Sequence, residues 1–209
     1  MPEVYHPDIA SLVGRARALP ARGQRAVLAI CGAPGAGKST LAAEIAGALG
    51  ESAVLIPMDG FHLANAELER LGRRDRKGAP DTFDAAGFVS LLERLRQETD
   101  DVVYAPIFWR EIEEPIAGAI AIDRRVPIVV TEGNYLLHDQ EAWSRIRPLL
   151  GACWYVEGPD DERLRRLIAR HVEFGKTPDE AHEWVRRSDE ANARLIEATR
   201  GLADLIVRW

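Results

Sequence analysis

Eight consecutive residues, Gly32-Ala33-Pro34-Gly35-Ala36-Gly37-Lys38-Ser39, fit the pattern G-x-x-x-x-G-K-[ST] throughout. Glycines let the backbone curl until several N–H groups point inward at phosphate oxygens. The segment that follows, Lys38–Leu49, is rich in Ala, Leu and Ile. It reads as a helix, and its N-terminal end adds positive potential at the same place. Lys38 is placed to bridge the β- and γ-phosphates of ATP, the Ser39 hydroxyl to ligate Mg²⁺, and Thr40 to complete the nucleotide-binding turn. Lys38 is one of only three lysines, with Lys77 and Lys176. The chemistry requires its compact ammonium, because a forked guanidinium would not fit the same slot.

Phosphoryl transfer to an alcohol also needs an acceptor held in line and a group that takes its proton. Asp59 ends an apolar run, Ala53–Met58, at the place where α/β sheets carry their sites. It is the candidate base, and capping of a following helix is the plain alternative. Glu132 ends a second apolar run and has no basic neighbour in sequence. It is a candidate for holding a Mg²⁺-bound water or an acceptor hydroxyl, against the alternative of a helix N-terminal charge. His62 could hydrogen-bond acceptor hydroxyls, or could simply pack beside Phe61 and Leu63.

Acceptor-binding candidates cluster in Gly72–Arg125: Lys77, Asp81 and Phe83 around a bend at Pro80, then Tyr104, Phe108 and Arg110. Aromatics beside cations suit a cup for a sugar or base with its hydroxyls or an acid group. The competing view makes the aromatics core and the charges a solvated run. Further on, Asp160–Phe174 has a helical pattern. Leu164, Leu167, Ile168, His171 and Val172 form its packed stripe. Arg163, Arg166 and Arg170 fall on an adjoining stripe, where guanidiniums can close over ATP and neutralise charge on the transferred group. Arg170 is the first candidate for that role and Arg166 for nucleotide binding; surface ion pairs with Asp160, Asp161, Glu162 and Glu173 are the alternative.

These groups need a frame. Ala26–Cys31, Ala53–Met58, Ile128–Thr131, Ala152–Val156 and Leu205–Val207 are short and apolar without alternation, as strands covered on both faces are. Helical patterns lie between them: Lys38–Leu49, Asp84–Gln97, Asp160–Phe174 and Thr177–Ile196. Thr177-Pro178-Asp179-Glu180 reads as a capping box with proline at the first helical position. The alternation predicts an α/β fold, a three-layer sandwich around a parallel sheet. One domain over residues 1–209 is expected, with an acceptor-side insertion at roughly 72–125 and a helical lid at roughly 160–185.

The chain has 209 residues, 46% apolar and 29% charged, with net charge −6. This is ordinary globular usage, and the acidic balance argues against a general nucleic-acid partner. No uncharged apolar run reaches membrane-span length, and Met1–Ala10 does not read as a signal peptide. Two cysteines, Cys31 and Cys153, suit a reducing cytoplasm. Cys31 reads as a small buried strand residue. A homodimer stays open.

No N-K-x-D guanine signature occurs, and Ile128–Thr131 ends in Glu132-Gly133 rather than Asp-Glu. A GTPase switch and a ring-forming ATPase are thereby disfavoured, leaving a small-molecule kinase. Met58-Asp59-Gly60-Phe61-His62, Lys77–Asp84, Thr131–Tyr135, Arg163–Arg170 and Ala203–Val207 resemble corresponding segments of the uridine kinase, pantothenate kinase and phosphoribulokinase superfamily. The likeness runs from about Ala26 to the C-terminus. Within the superfamily it is nearest the bacterial nucleoside/sugar-kinase-like branch labelled as fructose transport system kinase. The resemblance implies ATP and Mg²⁺ as cofactors and Asp59 as the base. It places Tyr135 on the acceptor side and implies a sugar or sugar-like acceptor. A nucleoside or pantothenate is the second choice. A nucleotide-binding regulator without an acceptor is the rival of another class.

Overall fold

The computed structural model describes residues 2–5, 8–20 and 24–209. Its frame is a six-stranded, wholly parallel sheet in the order β1-β8-β7-β2-β6-β3. The strands are β1 (Glu3–Tyr5), β2 (Ala26–Cys31), β3 (Ala53–Pro57), β6 (Ile128–Gly133), β7 (Ala152–Glu157) and β8 (Leu205–Arg208). The remaining two, β4 (Val102–Trp109) and β5 (Glu114–Asp123), pair only with each other as an antiparallel ribbon. Helices are α1 (Ile9–Arg17), α2 (Lys38–Leu49), α3 (Asn65–Arg70), α4 (Ala85–Gln97), α5 (Asp160–Glu173), α6 (Pro178–Trp184) and α7 (Glu190–Glu197).

The apolar, non-alternating sequence of β2 follows from its central place. Val27, Ala29 and Cys31 point into one core with α4 residues such as Phe88 and Leu92. Leu28 and Ile30 point into the other, with Leu12 of α1 and Leu41 and Ile45 of α2. All six β2 residues and all six of β6 are buried. Two helical layers on one parallel sheet is the expected three-layer fold. The free thiols of Cys31 and Cys153 are buried in the first core.

Several elements depart from the sequence expectation. The strand β1 and helix α1 were not foreseen, and neither was the ribbon. The expected helix over Thr177–Ile196 is continuous, but it takes a π-helical turn at Val185–Asp189 between α6 and α7. Its start does carry the reciprocal Thr177–Glu180 capping box. The region 72–125, expected as an insertion around the helical pattern of Asp84–Gln97, divides. Helix α4, capped by the Asp84 carboxylate on the Gly87 N–H, packs onto the sheet face, and only the ribbon projects.

The ribbon is pressed against the Asp59 turn. Its register shifts between Ala105 and Ile107, at Pro106, which has no N–H to give a ladder. A Cβ built on Gly60 would lie 2.5 Å from the Pro106 carbonyl oxygen. Only glycine allows that approach, so Gly60 fixes the ribbon, and Arg110 at its tip, over Asp59. Gly60→Ala should lower stability by roughly 1–3 kcal/mol, the usual cost of overpacking, seen as a lower urea midpoint. An unchanged midpoint would show that the ribbon does not bear on this turn.

Candidate active site

A cleft of about 660 Å³ opens where the carboxyl ends of β2, β6 and β3 meet the loops above them. Its floor is the phosphate loop. Gly35 takes φ +79°, and a Cβ there would lie 2.8 Å from the Arg163 carbonyl oxygen, so helix α5 packs directly onto the loop. Gly37 stands at φ 93° before α2, and Lys38 begins that helix. The Lys38 ammonium is buried and donates to the Ala33 carbonyl at 2.9 Å. Pro34, Gly35, Gly37, Lys38, Ser39 and Thr40 face the cleft, while Gly32 and Ala36 shape the loop from behind.

Two carboxylates stand beside Lys38. Glu132 is the penultimate residue of β6 and is 7% exposed. Burial first, then the negative charge of Asp59, push its carboxyl up to about 6, with Lys38, Ser39 and Arg110 pulling the other way. Asp59 follows β3 in a 3-10 turn, Met58–Phe61. Burial pushes its carboxyl up, but His62, Arg110, Lys38 and Arg170 outweigh that and hold it below the usual carboxylate range. Burial also holds His62 below the ordinary imidazole value, so at neutral pH the ring is uncharged. The Arg110 guanidinium, 3.0 Å from the Asp59 carboxylate, is then its principal partner.

The segment around Phe83 is tied to this turn by backbone pairing. Leu63 N–H donates to the Thr82 carbonyl at 2.9 Å, and Asp84 N–H to the Phe61 carbonyl at 2.8 Å. His62 therefore lies against Phe83, ring centroids 4.0 Å apart, and against Phe108 at 4.7 Å. Its Nδ1 hydrogen-bonds the Asp59 carbonyl at 2.8 Å. Lys77 donates to the Asn65 side-chain oxygen at 2.7 Å and to the Glu113 carbonyl, and lies 4.9 Å from the Phe108 ring centroid. Asp59, His62, Lys77, Phe83, Phe108, Arg110 and Glu132 thus converge on one cleft with Lys38 and Ser39.

Three expected acceptor residues do not line it. Tyr135 is fully buried, packs on Phe83 and Trp143, and donates to the Gly78 carbonyl at 2.6 Å. It supports the Lys77-Gly78 bend from beneath. Asp81 is paired with Arg76 at 2.7 Å and Arg73 at 3.3 Å. Tyr104 lies on the outer side of the ribbon, 60% exposed. The arginine stripe also divides. Arg163 is buried behind the loop, paired with Asp160 and Glu190 and donating to the Pro34 carbonyl. Arg166 and Arg170 do line the cleft, the former paired with Glu162 at 2.9 Å. Burial, then the nearby Arg110 charge, lower the Arg170 guanidinium, against the pull of Asp189, Asp59 and Glu132.

Sequence reasoning missed Asp189 and Asn192, both buried and both lining the cleft. Asp189 holds His171 at 2.8 Å, and Asn192 donates to the Gly78 carbonyl at 3.3 Å. They reach the site because the π-turn resets the helix phase. Such turns are frequent at functional sites but leave no composition signal. Trp209 was also missed; a Cβ built on Gly37 would lie 3.0 Å from its ring.

Mg²⁺ keeps several waters and is usually held by one or two carboxylates together with substrate phosphates. The Ser39 hydroxyl and the buried Glu132 carboxylate, next to the phosphate loop, fit that demand. Among the described residues no group of three or more His, Cys, Asp or Glu side chains forms an all-protein cage.

A raised carboxyl stabilises the fold below its ordinary value of 4.5, and that stabilisation is lost as pH rises through about 6. With nucleotide absent and metal chelated, Glu132→Gln should therefore gain on the parent chain by about 2 kcal/mol between pH 4.5 and pH 7, read from urea midpoints. A difference that does not change with pH would show that Glu132 titrates normally.

Comparison with known proteins agrees with this geometry. Residues 27–209 match the model of the family described as phosphoribulokinase / uridine kinase. "Putative uridine kinase C227.14" of Schizosaccharomyces pombe is 34% identical, over 99% of this chain and 94% of its own length. "Uncharacterized protein YggC" of Escherichia coli is 33% identical, over 88% of this chain and 78% of its own. A crystal structure titled as a putative fructose transport system kinase from Silicibacter sp. TM1040 superposes with a TM-score of 0.87 at 38% identity. It covers 96% of this chain and 98% of that one. The chain belongs to the phosphoribulokinase / uridine kinase family of phosphate-loop kinases.

Proposed function

We propose that the chain is an ATP- and Mg²⁺-dependent kinase that transfers the γ-phosphoryl group to a hydroxyl of a sugar or sugar-like metabolite. The observation that carries this reading is the sharing of one cleft by a phosphate loop and by a strand-end aspartate with an aromatic, cationic wall. A nucleotide switch needs the first and has no use for the second.

The acceptor hydroxyl oxygen forms a bond to the γ-phosphorus as the bond to the β-phosphate oxygen breaks and ADP leaves. The hydroxyl proton passes to the Asp59 carboxylate. A carboxylate held below the ordinary range is a weak base toward a free alcohol. Asp59 therefore orients the hydroxyl first and takes the proton late, once the new P–O bond has made it acidic. Bound Mg²⁺, held by Ser39 and Glu132, would supply charge neutralisation at the phosphates. Lys38 and Arg170 face the same region and act on the charge of the transferred group, where fixed cations are worth most. Arg166 reaches the nucleotide from the same helix.

A nucleoside acceptor is the second reading, favoured by the cluster of His62, Phe83 and Phe108 rings and by the name of the fission-yeast relative.

Two substitutions separate the roles. Asp59→Asn should leave ATP affinity near normal and lower acceptor phosphorylation by at least about 100-fold, the usual scale of base assistance; an unchanged rate would remove Asp59 from that role. Arg170→Ala should lower kcat more than it weakens ATP binding. A pure binding defect in calorimetry and steady-state kinetics would restrict Arg170 to nucleotide binding.

A further inference from the structure

The cleft holds cations beyond Lys38, Arg166 and Arg170. Arg74, Lys77, Arg110 and Lys176 also line it, together with Asp59, Glu113 and Asp189. Most of these charges already have partners. Asp189 holds His171, Asp59 holds Arg110, and Arg74 pairs with Glu69 at 3.1 Å. Lys77 differs. Its two hydrogen-bond acceptors are both neutral, the Asn65 side-chain oxygen and the Glu113 backbone carbonyl. Glu113 and Glu114 act on it only through space, and burial works against its charge.

Lys77 and Arg110 also share a ring. The ammonium lies 4.9 Å and the guanidinium carbon 5.6 Å from the Phe108 centroid. Both cations thus flank the same ring within the cleft. Asp59 meets only Arg110. The phosphate loop, Arg166 and Arg170 are available to the nucleotide, so ATP does not call for Lys77. A neutral polyol would leave the Lys77 ammonium without a charged partner, whereas an oxyanion would supply one.

Resting on the kinase reading above, we propose that the acceptor carries an anionic group, a carboxylate or a phosphate, beside the hydroxyl that is phosphorylated. Lys77 and Arg110 bind that group next to Phe108. Arg110 then shifts part of its hydrogen bonding from Asp59 to the acceptor, leaving the Asp59 carboxylate open to the hydroxyl. Charge-assisted contacts of this kind are the strong ones, and guanidinium suits both oxyanions.

The test is ADP release over matched acceptors. One arm pairs sugar acids with their neutral sugars, a second pairs sugar monophosphates with the same sugars, and neutral nucleosides form a third. The anionic member of at least one pair should have a kcat/KM higher by at least about 30-fold, the worth of one charged contact. The arm that shows it identifies carboxylate or phosphate. Lys77→Gln should bring the anionic-to-neutral ratio toward one, mainly through KM, and Lys77→Arg should restore most of it. Equal or better turnover of neutral acceptors, nucleosides included, would overturn the inference and leave the kinase reading standing. ADP release that no acceptor in any arm stimulates would overturn the kinase reading itself.

Discussion

Lys38, Glu132 and Asp59 are held together above the carboxyl ends of three adjacent parallel strands, the first two buried and Asp59 partly so. Burying ionised groups is costly unless each has a partner. Glu132 shows the cost in a carboxyl pushed up to about 6, first by burial and then by Asp59. The cluster answers with cations from separate parts of the chain: Lys38 at the head of α2, Arg110 at the tip of the ribbon and Arg170 on α5. Preorganised charge of this kind is what phosphoryl transfer uses, because the reaction asks more for positioning and neutralisation than for covalent help.

The rest of the molecule can be understood as support for that cluster. The two apolar layers on the sheet fix the strand ends. Gly35 lets α5 lie on the phosphate loop, so the arginine-bearing helix and the loop share one position. Gly60 lets the ribbon lie on the Asp59 turn, so Arg110 reaches its carboxylate. The pairing of residues 61–63 with 82–84 brings Phe83 to His62, and the buried Tyr135 hydroxyl holds the neighbouring Gly78. Tyr135 thus supports the Lys77–Phe83 side of the cleft although it does not line it.

Local sequence made much of this legible. The strands β2, β3, β6, β7 and β8 show as uninterrupted apolar runs because both of their faces are covered. The phosphate loop shows because its backbone requires glycines at fixed places. Asp59 and Glu132 show because polar residues that end such runs have few roles. What stayed hidden depends on long-range packing. The ribbon has an exposed outer face, so Tyr104 looks like a binding aromatic although it lies outside the cleft. Helical spacing puts Arg163, Arg166 and Arg170 on one stripe, but only tertiary contact reveals that Arg163 lies behind the loop. Asp189 and Asn192 depend on a π-turn whose extra residue has no periodic signature.

In the proposed reaction the phosphoryl group moves from the phosphate loop to an acceptor hydroxyl in the same cleft. Following the label from γ-³²P-labelled ATP, with the purified chain and a mixed pool of hydroxylated metabolites, tests this directly. Label is expected in an organic phosphate ester, formed in step with ADP. Label found only as inorganic phosphate, at a rate the pool does not change, would contradict it.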